Sequence, residues 1–258
     1  MIEIKSLNPD NPAAYLASLG LVRILSAKVG ISLSWSGEWA DEFAVVTCDK
    51  VDSIGQLASL LWEHHQTDWL PAEKDIRKFD SSPASWIGRD DEKNKKGFVI
   101  SSYWRFDAVK TRTGWLDNIR KVAGEIKSED QYLEALTEWQ QKDKASPLGF
   151  DPSAWQDSSR QKQEASATGQ LCTAGLIWLA VNALPLFPVF ASGTAGIRND
   201  IFHYPTWKYP LGLESIEKIC TGYTGQQDLL HIPGGVTAWE SIVEKAGERK
   251  QWMFATPA

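Results

Sequence analysis

The sequence contains few of the residues that usually build metal centres and disulfide frameworks. Among 258 residues there are 3 cysteines and 4 histidines. Cys48, Cys172 and Cys220 are odd in number and far apart in the chain, which is typical of reduced, buried thiols in a cytoplasmic protein. The sequence has no Cys-x-x-Cys and no His-Glu-x-x-His motif. We therefore predict no metal site and no cofactor.

Motifs of the common catalytic classes are also missing. There is no Gly-x-Ser-x-Gly nucleophile elbow and no Gly-x-x-x-x-Gly-Lys phosphate loop. His64 and His65 are adjacent, so on a helix their side chains point in different directions and do not easily ligate one metal ion. The carboxylates of residues 90–92 lie among Lys and Gly, as in a solvated turn. The sequence predicts a protein that is not an enzyme.

An uncharged run between Leu171 and Ala191 raises the question of a membrane span, because about 20 apolar residues can cross a bilayer. Pro185 and Pro188 interrupt a helix near the end of this run, and no cluster of Lys or Arg flanks it. We predict instead a central helix of about four turns, buried on all sides, that leads into a short extended segment. The first residues lack the pattern of a signal peptide. We expect a cytoplasmic protein with no membrane partner.

Apolar periodicity predicts helices and short strands in no regular alternation. Asn11 and Pro12 have the positions of an N-cap and a first helical residue, and Gly30 is expected to end that helix. Further helices are predicted at 51–65, 115–126, 128–141, 213–220 and 236–246, and strands at 2–6, 31–35, 43–48 and 98–106. Turn residues and aromatics at 193–210 indicate a hairpin or paired extended segments.

These elements predict an α+β fold with mixed helices and short, mostly antiparallel strands around one long buried helix. Composition and length fit a single domain over residues 1–258, with long loops near 66–97 and 142–169.

Charge is unevenly distributed along the chain. The 27 Lys and Arg residues are outnumbered by 33 Asp and Glu residues, which gives a net charge of −6. From Lys74 to Lys121, however, twelve basic residues face seven acidic ones, so this stretch carries +5 and the remainder −11. A basic middle in an acidic chain is compatible with a nucleic-acid contact or with a solvated, lysine-rich loop.

Cations beside aromatic rings make this basic middle the strongest binding candidate, since such pairs suit phosphates and stacked bases. The residues predicted to bind nucleic acid are Arg89, Lys93, Lys95, Lys96, Trp104, Arg105, Lys110 and Arg112. The 13 tryptophans of the chain also leave two interpretations open. Most of them fill the core, or some are exposed anchors for a protein partner.

Four segments occur in an order that is similar to a known family. Asn11–Leu25 resembles an opening helix shared by several proteins of type I-G (formerly I-U) CRISPR systems. Residues 147–152 resemble their short leucine–aromatic–Asp–Pro element, and residues 183–188 resemble the end of their central helix. Residues 204–211 resemble the Trp-containing stretch before a final helix.

The resemblance implies a non-catalytic subunit or accessory protein of a CRISPR RNA-guided DNA surveillance complex, with a role in antiviral defence. In such complexes base pairing with a guide RNA reads the target, and protein subunits hold the nucleic-acid backbone. The expected partners are other CRISPR effector subunits together with guide RNA, target DNA or both. No catalytic residue is carried over by the resemblance. The alternative is a protein–protein adaptor without nucleic-acid contact.

Overall fold

The fold combines α-helices with antiparallel sheets, which confirms the predicted α+β class. The computed structural model describes residues 1–38, 41–68, 87–88, 99–100, 106, 115–154, 171–190, 193–223, 228, 231–232, 234–246 and 249–258.

Six α-helices are named in chain order within these ranges. They are α1 (Pro12–Leu25), α2 (Ile54–Asp68), α3 (Trp115–Glu125), α4 (Glu129–Thr137), α5 (Ala174–Ala183) and α6 (Leu213–Gly222). The prediction that Gly30 ends α1 is wrong, because the helix ends at Leu25 and the backbone N–H of Ser26 closes its last turn on Val22. The prediction extends α4 to about residue 141, but the helix ends at Thr137. Helix α2 begins and ends three residues later than predicted, so it extends into the predicted first loop.

Helix α1 is buried around almost its whole circumference and packs along α5. Its predicted start is confirmed, because Asn11 Oδ1 accepts a hydrogen bond from the backbone N–H of Ala13 at 2.9 Å and Pro12 follows the cap. A Cβ atom built on Gly20 would overlap with the carbonyl oxygen of Leu179 in α5. The two helix backbones therefore touch at a point where only glycine fits.

Helix α5 confirms the prediction of a helix that is buried on all sides. All ten of its residues are buried, although it is shorter than the predicted four turns. A 3₁₀ turn at Leu184–Leu186 follows, where Pro185 cannot continue the α-helix. No helix in the described ranges is both long enough and apolar enough to span a membrane.

The first sheet has three antiparallel strands in the order β1 (Ile2–Ile4), β3 (Phe43–Cys48) and β2 (Ile31–Ser36). The predicted strands are confirmed, with β1 ending two residues early. Strand alternation directs Ile2, Ile4, Val46 and Leu33 toward the core. Glu3, Val45 and Ser34 are register partners that form one row across the opposite face of the sheet.

The second sheet is built from the C-terminal part of the chain. Its strands are β8 (Ile197–Arg198), β9 (Ile201–Trp207), β10 (Gly235–Ala246) and β11 (Arg249–Trp252), and β12 (Thr256–Pro257) pairs with β10. All pairs are antiparallel. The hairpin of β8 and β9 confirms the paired segments expected at 193–210.

The prediction of a helix at 236–246 is wrong, because these residues form β10. Burial alternates along its centre, where Trp239 and Ser241 are buried while Glu240 and Ile242 face outward. Strand β10 pairs with β9 and also with β11 and β12. Pairing with β9, about 30 residues earlier, overrides the weak helical pattern of this segment.

Two short antiparallel pairs complete the described strands. They are β4 (Ile87–Gly88) with β5 (Val99–Ile100), and β6 (Val189–Phe190) with β7 (Gly193–Thr194). Strand β4 falls inside the first predicted loop, and β5 is the described part of the strand predicted at 98–106. Most of both predicted loops lies outside the described residues.

Tryptophan mainly fills the core in the part of the chain that the structure describes. Trp35, Trp178, Trp207, Trp239 and Trp252 are buried, and Trp62 and Trp139 are half-buried. The Tyr15 ring stacks on Trp35 at 5.6 Å and lies 4.2 Å from the ring of Tyr204. These contacts join α1 to both sheets, because Trp35 belongs to β2 and Tyr204 to β9.

Candidate functional site

The residues predicted to bind nucleic acid all lie outside the described residues. They are Arg89, Lys93, Lys95, Lys96, Trp104, Arg105, Lys110 and Arg112. Their role stays a prediction. Phe106, which directly follows Arg105, is described and is fully buried, with its ring 5.2 Å from Phe202 and 5.4 Å from Phe187.

Histidine does not build a metal centre in the described ranges. No group of three or more His, Cys, Asp and Glu residues there could hold a metal ion. His65 is buried, its Nδ1 lies 2.9 Å from Tyr132 Oη, and its ring stacks on Trp62. Burial lowers the pKa of His65 to about 4. At neutral pH this histidine is an uncharged packing residue between α2 and α4.

The thiols of Cys172 and Cys220 are buried, in agreement with the prediction, whereas Cys48 is half-buried. Burial raises the pKa of both buried thiols far above the ordinary value. Because the thiolate is the reactive form of cysteine, these two side chains are inert toward most electrophiles.

Asp151, in the segment that resembles a leucine–aromatic–Asp–Pro element, is a buried hydrogen-bond acceptor. Its Oδ1 accepts from Asn11 Nδ2 at 2.9 Å and from the backbone N–H and hydroxyl of Ser153 at 2.9 and 2.6 Å. Its Oδ2 accepts from Gln141 Nε2 at 2.7 Å. Asp151 therefore fastens the cap of α1 to a distant loop, and its oxygens are occupied by these donors.

The resembling segment at 204–211 is bonded to the residues before α1 and to strand β2. Tyr204 Oη donates to the backbone carbonyl of Pro9 at 2.7 Å, just before the cap of α1. Trp207 Nε1 donates to the carbonyl of Leu33 at 2.8 Å, and Leu211 pairs with Leu33 through two backbone hydrogen bonds of 2.9 Å. The four segments are separate in sequence and form one continuous core around α1 and α5.

A cleft of about 700 Å³ opens between the outer face of the first sheet and the adjoining parts of β9 and β10. We call it the Glu42 cleft. Its lining residues are Met1, Glu3, Ser34, Trp35, Ser36, Gly37, Glu38, Glu42, Val45, Lys208 and Val236. The row of Glu3, Val45 and Ser34 forms its floor. The volume is within the range of binding pockets in proteins.

Glu42 is the most deeply buried charged side chain of this cleft, with 1% of its surface exposed. Its Oε2 accepts a hydrogen bond from Trp239 Nε1 at 3.1 Å. Burial raises the pKa of the Glu42 carboxyl, while hydrogen bonds from Thr206 and Trp239 and the charge of Lys208 oppose this effect. Because the pKa is raised on balance, the surroundings do not fully compensate the desolvation of the carboxylate.

Two exposed apolar side chains line the cleft. They are Val236, which is 38% exposed, and Met1. Exposed apolar side chains grouped around a concave surface are typical of a macromolecular contact.

The charged side chains that line the cleft are mainly acidic. Glu3, Glu38 and Glu42 contribute three carboxylates and Lys208 contributes one ammonium group. Lys5 approaches Glu3 to 4.0 Å, but both side chains are well exposed, so this ion pair is weak. Such a lining disfavours phosphate groups and favours basic groups.

No protein-family model matches the chain, and comparison with curated proteins found no match.

Nothing in the sequence indicates the Glu42 cleft. Glu3, Glu42 and Lys208 belong to no recognisable motif, and they come together only through the packing of two sheets. The high tryptophan content is the only related feature of the sequence. The indole of Trp239 donates to Glu42, which lies 197 residues away in the chain.

Proposed function

We propose that this protein is a non-catalytic subunit or accessory protein of a type I CRISPR RNA-guided DNA surveillance complex, acting in the cytoplasm in antiviral defence. The observation that supports this function is the order of four segments that resemble type I-G proteins. All four segments contribute side chains to the hydrophobic core, and the bonds of Asp151 and Tyr204 attach two of them to the start of α1.

The proposed division of labour follows the charge of the chain. The basic middle, with Lys93 and Arg105 among its cations, contacts guide RNA or target DNA, since Lys and Arg neutralise phosphates. The acidic remainder contacts other effector subunits. Catalysis is assigned to another component of the complex, because the resemblance carries over no catalytic residue.

Assembly is the first test. The chain is co-expressed with the products of its neighbouring genes and purified through a tag on a neighbouring product, and bound RNA is extracted and sequenced. We expect this chain in the purified complex together with a guide RNA. Purification of those products and their guide RNA without this chain would overturn the proposal.

Nucleic-acid contact is tested with the variant in which Lys93, Lys95, Lys96, Arg105 and Arg112 are changed to Ala. We expect weaker binding of DNA or RNA by the assembled complex and a salt dependence whose slope falls by about one for each lost phosphate contact. The control changes Lys28, Lys50 and Lys144, which are exposed elsewhere, to Ala. Equal affinities for the two variants would exclude the predicted surface.

The adaptor function is the second candidate, and the acidic Glu42 cleft favours it. An adaptor assembles with its partners but leaves their affinity for nucleic acid unchanged. Gel shifts with the isolated chain and with the complex, prepared with and without this chain, distinguish the two functions.

A further inference from the structure

We infer that the Glu42 cleft docks a short, extended, lysine- or arginine-bearing segment of a partner protein. The inference rests on the proposed function, because it takes the partner to be another subunit of the same complex. It adds the surface that is used and the chemistry of the segment that fills it.

Apolar exposure is the first argument for docking. Val236 and Met1 expose apolar surface in the lining of the cleft, and Val45 provides an apolar floor. Burial of such surface under a partner side chain favours binding, because apolar area is removed from water. The cleft can therefore hold an aliphatic side chain or the aliphatic stem of a lysine or arginine.

Charge selects the partner. The carboxylates of Glu3 and Glu38 lie at the cleft, and the carboxylate of Glu42 is buried at its wall with incomplete compensation. A guanidinium or ammonium group entering the cleft would supply the missing compensation, while a phosphate would be repelled. A second copy of this chain would bring the same acidic lining against itself.

The shape of the floor indicates an extended segment. Glu3, Val45 and Ser34 lie side by side on three strands, and neighbouring strands are about 4.8 Å apart. The floor is therefore a nearly flat strip about 10 Å across. An extended chain presents alternate side chains to such a surface, so one apolar and one basic residue reach it together.

Photo-crosslinking in the assembled complex tests the site. The variant Val236→p-benzoylphenylalanine places the crosslinker at the cleft, and Leu133→p-benzoylphenylalanine is the control on α4. The two positions are matched, since Val236 is 38% and Leu133 is 37% exposed. We expect the Val236 variant to crosslink to a partner segment containing Lys or Arg, identified by mass spectrometry, and the Leu133 variant not to reach that segment.

Charge reversal tests the chemistry with the same readout. In the Val236 crosslinking variant, Glu38→Lys should lower the crosslink yield at least about tenfold, because it places a like charge against the basic segment. The control Glu138→Lys makes the same change at an exposed position at the end of α4 and should leave the yield unchanged.

Each other outcome overturns the inference. These outcomes are crosslinks to nucleic acid, to a second copy of this chain or to a segment without basic residues, no crosslink in an assembled complex, or equal yields for the two charge-reversed variants. If the chain is missing from the purified complex, the proposed function fails as well. If it assembles but the Val236 variant gives no basic-segment crosslink, only the docking inference fails.

Discussion

Two buried carboxylates, one in the core and one in the Glu42 cleft, have very different surroundings. Asp151 and Glu42 are each only 1% exposed. Asp151 accepts four hydrogen bonds from Asn11, Gln141 and Ser153. Glu42 accepts from the indole of Trp239 and the hydroxyl of Thr206, and burial still raises its pKa on balance.

The difference distinguishes a carboxylate with a structural role from one that a bound cation can still stabilise. The donors around Asp151 come from the chain itself and are bound in the isolated protein. The carboxylate of Glu42 retains an electrostatic cost of burial, which a cation in the cleft would relieve. A buried carboxylate beside a cleft therefore indicates a cation-binding site only when its hydrogen bonds do not fully compensate the electrostatic cost of its burial.

The largest expected effect concerns the packing on which the core depends. Gly20→Ala inserts a methyl group into the contact between α1 and the carbonyl of Leu179. Since two helix backbones must separate to admit it, we expect a loss of about 4 kcal/mol or more in the free energy of unfolding. Urea unfolding followed by circular dichroism measures the change, and a lack of soluble protein counts as the extreme of the same result.

Gly55→Ala is the matched control for this variant. Gly55 is also helical, in α2, but an added Cβ there meets no atom within 4 Å. We expect a change within about 1 kcal/mol, in the stabilising direction, because alanine favours the helix. Similar losses for both glycine variants would contradict the backbone contact between α1 and α5.

The second prediction tests whether Asp151 is structural. Asp151→Asn replaces one acceptor oxygen with an amide group that faces the side chain of Gln141 or the donors of Asn11 and Ser153. We expect a loss of about 2–4 kcal/mol in the free energy of unfolding, because buried donors are left without a partner. The exposed Asp52→Asn should change it by less than about 0.5 kcal/mol. If Asp151→Asn and the control lower the free energy of unfolding equally, Asp151 is not a structural carboxylate.

The third prediction is a pH dependence. The pKa of His65 in the folded chain is about 4, below the 6.5 of a solvated histidine, so between these values the unfolded chain binds more protons. Stability present above pH 6.5 is therefore lost as the pH falls toward 4, by roughly 1–2 kcal/mol after allowance for solvent screening. Urea unfolding between pH 4 and 7 should give a flatter profile for His65→Asn. Parallel profiles would show that His65 is protonated equally in both states.

The smallest expected effect belongs to the cleft. Burial raises the pKa of Glu42 above 4.5, so its favourable contribution is present below pH 4.5 and is lost as the pH rises through the folded-state value. Glu42→Gln keeps an acceptor for Trp239 and removes the charge, so we expect a small gain in stability at pH 7 that disappears in acid. The control is Glu138→Gln at an exposed position. A clear loss at pH 7 would mean that the charge of Glu42 is fully compensated within the chain.

Local signals in the sequence predicted the helical part of the fold well. The cap formed by Asn11 and Pro12 and the uncharged run before Pro185 depend on nearest neighbours and on hydrophobicity, both of which can be read from a single chain. The helices at 115–126 and 213–220 were also predicted to within one or two residues of the observed ends.

Long-range pairing accounts for what the sequence did not reveal. Residues 236–246 form a strand because they pair with β9, and no short-range sequence pattern predicts this pairing. The Glu42 cleft has the same origin, since Glu3, Glu42 and Lys208 come from three distant parts of the chain. The basic middle was recognised by composition alone, and its predicted contacts with nucleic acid await the binding experiments.

The hydrogen bonds from Tyr204 to Pro9 and from Trp239 to Glu42 each close a loop of almost two hundred residues. Contacts between such distant residues raise the contact order, and they slow folding because the loop entropy is lost before the contacts form. The packing of β1 and α1 is therefore complete only after residues beyond 200 have folded against them. Separate expression of the two halves should accordingly give insoluble fragments that recover a fold only when they are refolded together.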